Sequence, residues 1–152
     1  MIRAQGYQVN EILFEGQSTL VYRATREQDA LPVILKLLRN EFPPPEQVAS
    51  FRREFAITRK LANVKGVINA LSLEKHGNRL CQVLEDCGGT ALSYYLSQSA
   101  LSQSPLSQSS SQESLLDIRT VLELALQLTD ILGEVHQHQI IHADLNPHNI
   151  VW

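Results

Sequence analysis

Between residues 7 and 38 the side chains alternate apolar and polar in three successive runs, YQVNEILF (7–14), TLVYRAT (19–25) and PVILKLL (32–38), divided by the polar stretches EGQS and REQDA. A period of two belongs to β-strands, and the short polar connections predict three consecutive antiparallel neighbours. Three prolines at 43–45 exclude regular helix or strand there, and Pro45 suits the first turn of a following helix. Val48, Phe51, Phe55, Thr58 and Leu61 share one face at helical spacing, so a helix is expected from Glu46 to Leu61. VINALSLEKHGNRLCQVLEDCGG then reads as two more strands around a tight His76-Gly77-Asn78 turn, because Gly and Asn accept the left-handed conformations that hairpins require. Five strands and one helix over residues 1–86 predict a small α+β unit.

Gly88-Gly89 marks a hinge, and TALSYYLSQ starts a short helix, giving a connecting segment over 87–96. Residues 97–114 repeat a five-residue unit in which Leu96, Leu101 and Leu106 are each followed by Ser-Gln-Ser. So few apolar groups cannot offset the entropy of ordering, and a flexible loop is expected. A pentapeptide solenoid is the sharper alternative, but it needs many stacked coils to close a core. From Asp117 to His138 a second helix is predicted, with Ile118, Val121, Leu122, Ala125, Leu128, Ile131, Leu132 and Val135 as its buried stripe. Leu124 and Leu126 widen that stripe, so the helix calls for neighbours on several sides, and residues 115–152 read as the front part of a larger domain.

A net charge of −3 and a pI near 5.9 supply no basic face for nucleic acid. The start MIRAQGYQVNE lacks the apolar core of a secretory signal, and no run approaches the roughly 18 apolar residues of a membrane span. A cytoplasmic protein with no membrane or nucleic-acid partner is expected. Cys81 and Cys87 fall in what reads as one strand, roughly 20 Å apart, and are expected to be reduced thiols.

Gly16 between two strands, Val21 just beyond the turn, Lys36 closing VILK, Glu54 on the next helix, the Gly-Gly hinge and H-x-D-L-x-x-x-N at 142–149 follow one another in that order. Each alone is a weak signal. Together they resemble the protein-kinase signature set, over essentially the whole chain apart from the Ser/Gln stretch. The resemblance implies a five-stranded antiparallel N-lobe with one helix, then the start of a mainly helical C-lobe. It implies ATP and Mg2+ as cofactors and a protein hydroxyl as acceptor. A glycine turn lets backbone approach a phosphate chain, Lys36 would pair its oxygens, and Glu54 would hold that flexible lysine in place. Asp144 would accept the hydroxyl proton, Asn149 would offer its amide oxygen to Mg2+, and Pro147 would stiffen the loop between them. Adenine would lie between Val21 and Ile34 on one side and Val151 on the other, with backbone groups of Glu85 and Cys87 on its edge and Leu84 as gatekeeper. The runs TLVYRATREQDALPVILKLLRNEFP, FRREFAITRKL, LEDCGGTALSYYL and IIHADLNPHNIVW are similar to the N-terminal kinase domain of large bacterial signalling proteins. In that group ATPase and sensor modules follow in the same polypeptide, as partners of the kinase domain.

The chain departs from the family pattern at several points. Phe14 and Thr19 hold the outer two glycine positions, and Ile34 replaces a small alanine. Ala143 stands where regulated kinases carry arginine, so control through an activation-loop phosphate is not expected. Asn146 replaces the loop lysine, as in small-molecule phosphotransferases of the aminoglycoside and choline type. No Asp-Phe-Gly follows Asn149, and on that ground an incomplete domain, inactive in isolation, is expected. Two rival readings stand beside the enzyme: a pseudokinase scaffold, and a metal site built on His136, His138, His142 and His148. Against the metal, no H-E-x-x-H occurs, and structural zinc usually recruits cysteine.

Overall fold

The structure, a computed structural model, describes residues 4–101 and 117–152, the side chains of 98–101 excepted. The alternating runs become β1 (Tyr7–Glu15), β2 (Thr19–Arg26) and β3 (Leu31–Leu38). Helix α1 (Pro45–Lys60) follows with its proline in the first turn, then β4 (Ala70–His76) and β5 (Arg79–Glu85). The turn between the last two is only Gly77-Asn78, with His76 opposite Arg79 and Gly77 at φ 64°, the left-handed position that glycine fills without strain. The fold is therefore α+β, with one five-stranded antiparallel sheet in the order β1-β2-β3-β5-β4.

The pleat sorts the side chains. Leu20, Tyr22 and Ala24 of β2, Val33, Leu35 and Leu37 of β3, and Cys81 and Val83 of β5 line one face and, with Ala4 and Tyr7, make the main core. The other face carries Leu38 and Leu80, which α1 covers with Phe51 and Val48. β1 and β4 are the two edges of the sheet, yet the Tyr7 hydroxyl donates to Glu74 Oε1 at 2.9 Å, and the Tyr7 ring meets His76 edge-on at 5.6 Å. The sheet curls until side chains from its two edge strands meet over the core, without pairing of their backbones. Cys81 lies inside that core, where burial pushes its thiol up to about 12. β5 ends at Glu85, so Cys87 lies beyond the strand rather than in it; it is exposed, and both thiols are free.

The chain divides after Cys87, and the second unit starts at Gly88. It contains α2 (Leu92–Leu101), α3 (Ile118–Gln137) and a 3-10 turn at Pro147–Asn149. Helix α2 is longer than expected, since residues 97–101 of the Ser/Gln stretch continue it; the rest of that stretch lies outside the described residues. Asp117 caps α3 by accepting from the Thr120 N–H at 2.7 Å, and this bond holds its carboxyl below the usual range. The stripe predicted along α3 is covered only toward its C-terminal end. Val135 is buried and Leu128, Ile131 and Leu132 are half-buried, whereas Ile118, Val121, Leu122 and Ala125 are exposed. Periodicity reports which face is apolar, not what packs on it. No helix among the described residues is long and apolar enough to cross a membrane.

The edge closure has a measurable consequence. Burial and the Glu74 bond raise the Tyr7 phenol from 10.0 to about 12, so ionisation is easier in the unfolded chain. Stability held below the unfolded value is lost as pH rises from there through the folded one. Tyr7→Phe is expected to cost about 0.5–1.5 kcal/mol at neutral pH and to flatten this alkaline loss, as measured by denaturant unfolding across the alkaline range.

Candidate functional site

In an antiparallel ladder, residues directly opposite one another project from the same face. Two such rows cross the first unit on the side away from the main core: Phe14, Val21, Lys36, Gln82, Leu73, and Glu11, Arg23, Ile34, Leu84, Ala70. Val21, Ile34, Lys36 and Leu84 thus share one surface. Lys36 Nζ donates to Glu54 Oε1 on α1 at 2.6 Å, with 27% and 46% of the two side chains exposed. An ion pair this open is worth about 0–1 kcal/mol, too little to decide where a helix sits.

A second link joins the same sheet region to α1. Gln82, directly opposite Lys36 and only 1% exposed, donates Nε2 to the Phe51 carbonyl at 3.0 Å. A buried hydrogen bond nets about 1 kcal/mol, and losing one partner costs about 1–3 kcal/mol more. The sequence reading passed over Gln82. Its one signal is a polar residue in the apolar run LCQVL.

The turn between β1 and β2 is fastened at both ends. Gly16 N–H donates to the Thr19 carbonyl at 2.9 Å, Arg39 N–H donates to the Ser18 carbonyl at 2.9 Å, and Arg39 Nη1 donates to the Gly16 carbonyl at 2.9 Å. Phe14, at an outer glycine position, lays its ring against Gly16, where a Cβ would stand 2.6 Å from Phe14 Cε1. Gly16 thus answers to a neighbour in the fold itself, in addition to any ligand.

The segment after β5 is held by two side chains that were not anticipated. Asn69 receives the Glu85 N–H on its carbonyl at 2.9 Å and returns its own N–H and Nδ2 to the Glu85 carboxylate at 2.8 and 3.0 Å. Of the Glu85 backbone groups, only the carbonyl remains as one to offer a ligand edge. Arg23 Nε donates to Asp86 Oδ2 at 2.8 Å and its Nη1 to Glu11 Oε2 at 3.1 Å, with the Asp86 side chain only 6% exposed. Arg23 thereby ties β1, β2 and the hinge stretch together beside the exposed Cys87.

In the second unit, residues 142–150 fold around one carboxylate. Asn149 Nδ2 donates to Asp144 Oδ2 and to the Asp144 carbonyl, both at 2.9 Å, while Asn146 Nδ2 donates to Oδ1 at 2.9 Å. Asn146 also caps the 3-10 turn, accepting from the His148 N–H at 3.0 Å. Ala143 adopts φ 58°, which swings the chain into position before Asp144. Pro147 opens the turn. Asp144 is therefore an exposed carboxylate held in one orientation, and with the Asn149 nitrogen committed to it, the amide oxygen is the atom left for a hard cation.

The loop leaves through a short antiparallel bridge. Ala91 pairs with Val151, Thr90 and Trp152 exchange backbone bonds at 3.0 and 2.9 Å, and Leu92 N–H donates to the Ile150 carbonyl at 2.8 Å. Gly89 permits this crossing, since a Cβ there would meet Val151 Cγ1 at 2.6 Å and the Trp152 carbonyl at 3.0 Å. The structure thus brings Lys36 to Glu54 and Asp144 to Asn149, each pair within its own unit. Among the described residues no three His, Cys, Asp or Glu side chains gather in a way that could hold a metal ion. Gly89→Ala is expected to destabilise the second unit by about 1–3 kcal/mol through overpacking. Fluorescence of Trp152, the single tryptophan, follows it during unfolding.

Comparison with known proteins adds to this geometry. The family described as "Protein kinase domain" matches residues 7–152. A probable serine/threonine-protein kinase of Clostridium acetobutylicum is 25% identical over 146 residues, which is 95% of this chain and 20% of that protein. The Arabidopsis thaliana serine/threonine-protein kinase TIO is 26% identical over 97% of this chain and 10% of its own length. Human serine/threonine-protein kinase D3 is 26% identical over 95% of this chain and 15% of its own length. The chain thus spans a fifth or less of these curated relatives.

Proposed function

The chain belongs to the protein kinase domain family, and from that premise we propose that it serves an ATP-dependent serine/threonine protein kinase, transferring the γ-phosphoryl group to a protein hydroxyl in the cytoplasm. The observation that carries this reading is the Asp144–Asn149 arrangement, in which one side-chain amide donates to both the carboxylate and the backbone carbonyl of the same aspartate, each at 2.9 Å. In the proposed reaction Asp144 takes the proton of the acceptor hydroxyl as that oxygen bonds to the γ-phosphorus. The bond from phosphorus to the β,γ-bridging oxygen breaks, and ADP leaves with the electron pair. Lys36, held by Glu54, pairs the phosphate oxygens. Gly16 lies against them, Val21 and Ile34 contact adenine, and the Glu85 carbonyl and Cys87 N–H meet its edge.

The Asn149 amide oxygen is a hard donor of the kind Mg2+ prefers, so the residues fit that ion, which would offset phosphate charge when bound. The similarity of quoted runs to bacterial multidomain signalling kinases supports a further part of the proposal, that ATPase or sensor modules are its working partners. A second reading is favoured by Asn146, which stands at the loop-lysine position and is bonded to Asp144: a small alcohol as acceptor. A pseudokinase scaffold is the reading that remains if transfer fails.

The test is phosphoryl transfer from Mg·ATP by the full-length protein, offered protein and small-alcohol acceptors in parallel. Lys36→Ala and Asp144→Ala are each expected to reduce transfer about 100-fold or more with an unchanged circular dichroism spectrum. Undiminished transfer by Asp144→Ala would remove it from the mechanism.

A further inference from the structure

We propose that Gln82 is the positioning residue that fixes α1 on the sheet, and through α1 the contact between Lys36 and Glu54. Two links run from neighbouring strands to this helix. Lys36 and Gln82 stand directly opposite each other on β3 and β5, and their partners, Glu54 and Phe51, lie one turn apart on α1. The links differ in environment. The ion pair is open to water, which screens it and lets both side chains exchange their partners for solvent. The Gln82 amide is sealed from water, so its Nε2 donor has no water to take the place of the Phe51 carbonyl.

Remaining contacts between helix and sheet cannot take over this task. Phe51 and Val48 against Leu38, Leu80 and Leu73 form an apolar contact that holds the helix close, but such contacts are not directional and tolerate rotation or sliding. Arg59 donates to the Leu71 carbonyl at 3.0 Å, but from the exposed last turn of the helix. A helix carbonyl has a second lone pair, so Phe51 can accept from Gln82 without giving up its place in the helical ladder. The orientation that sends Glu54 toward Lys36 is thus set from inside, one turn earlier.

The effect on Lys36 stands on geometry alone, whereas any effect on phosphoryl transfer rests on the function proposed above. Gln82→Met keeps the volume and removes the donor. The full-length protein and this variant are treated with acetic anhydride, and acetylation of Lys36 is followed by mass spectrometry against the exposed Lys75 as internal reference. Acetylation of Lys36 is expected to rise at least threefold, approaching the rate in Glu54→Gln, with Lys75 unchanged. In the transfer assay kcat should fall while KM for ATP stays within about twofold. A Lys36 rate in Gln82→Met equal to that of the unmodified protein overturns the proposal, whatever Glu54→Gln does. Should Gln82→Met fail to fold, Gln82→Asn, which keeps the amide but lacks the reach, carries the same expectation and the same overturning result. If the unmodified protein transfers no phosphate, the functional reading fails while the acetylation comparison still decides the role of Gln82.

Discussion

The register of β3 governs the first unit. Its side chains alternate strictly, so that Val33, Leu35 and Leu37 enter the main core while Ile34, Lys36 and Leu38 face the other way. A slip of one residue would drive an ammonium into a core of ten buried residues and expose three aliphatic side chains. That energetic asymmetry fixes the pairing on both sides of β3, and through it the rows that place Val21 beside Lys36 and Leu84 beside Ile34. The meeting of Tyr7 with Glu74 then links the two edge strands through their side chains, although their backbones do not pair.

Around this frame, side chains that grip backbone hold the segments whose conformation matters most. Gln82 grips α1, the Glu85 carboxylate grips the Asn69 N–H beside the start of the hinge stretch and Arg39 grips the glycine turn. Each is a polar side chain opposite a main-chain group, a pairing that fixes a distance and a direction where apolar packing fixes only proximity. The departures from the family pattern make sense in this light. Phe14 fills space beside Gly16 that a glycine at its own position would have left open, and the Arg39 bonds restrain a turn that has lost its two outer glycines. Asn146, where a loop lysine is expected, is not idle, since it braces Asp144 from the side opposite Asn149.

The second unit shows a different balance. Its loop is precise because short-range amide bonds and a two-stranded bridge determine it locally, with Gly89 leaving room for Val151. Its long helix, by contrast, buries only Val135 fully, and the apolar residues of its first half are open apart from the half-buried Leu124. Local chemistry is enough to shape a polar loop. Covering a helix that is apolar on several sides takes neighbours.

Much of this was legible in the chain. Periodicity located β1, β2, β3, α1 and α3 to within a residue or two, because alternation and helical spacing are consequences of backbone geometry, and the His76-Gly77-Asn78 turn located the hairpin without fixing the outer ends of its strands. The order of Gly16, Lys36, Glu54, Asp144 and Asn149 made the family resemblance visible, and proximity of Lys36 to Glu54 and of Asp144 to Asn149 is found in the structure. Gln82, Arg23, Asp86, Asn69 and Arg39 were not legible, since nothing in a linear pattern tells which polar residue will find a buried carbonyl or carboxylate thirty or sixty positions away. Nor did the α3 stripe reveal which of its residues would be covered. The sequence by itself determined the elements and their faces, because those follow from repeats of two and 3.6 residues along one chain. Only the tertiary structure decided the partners, because a hydrogen bond depends on where two distant segments meet in space.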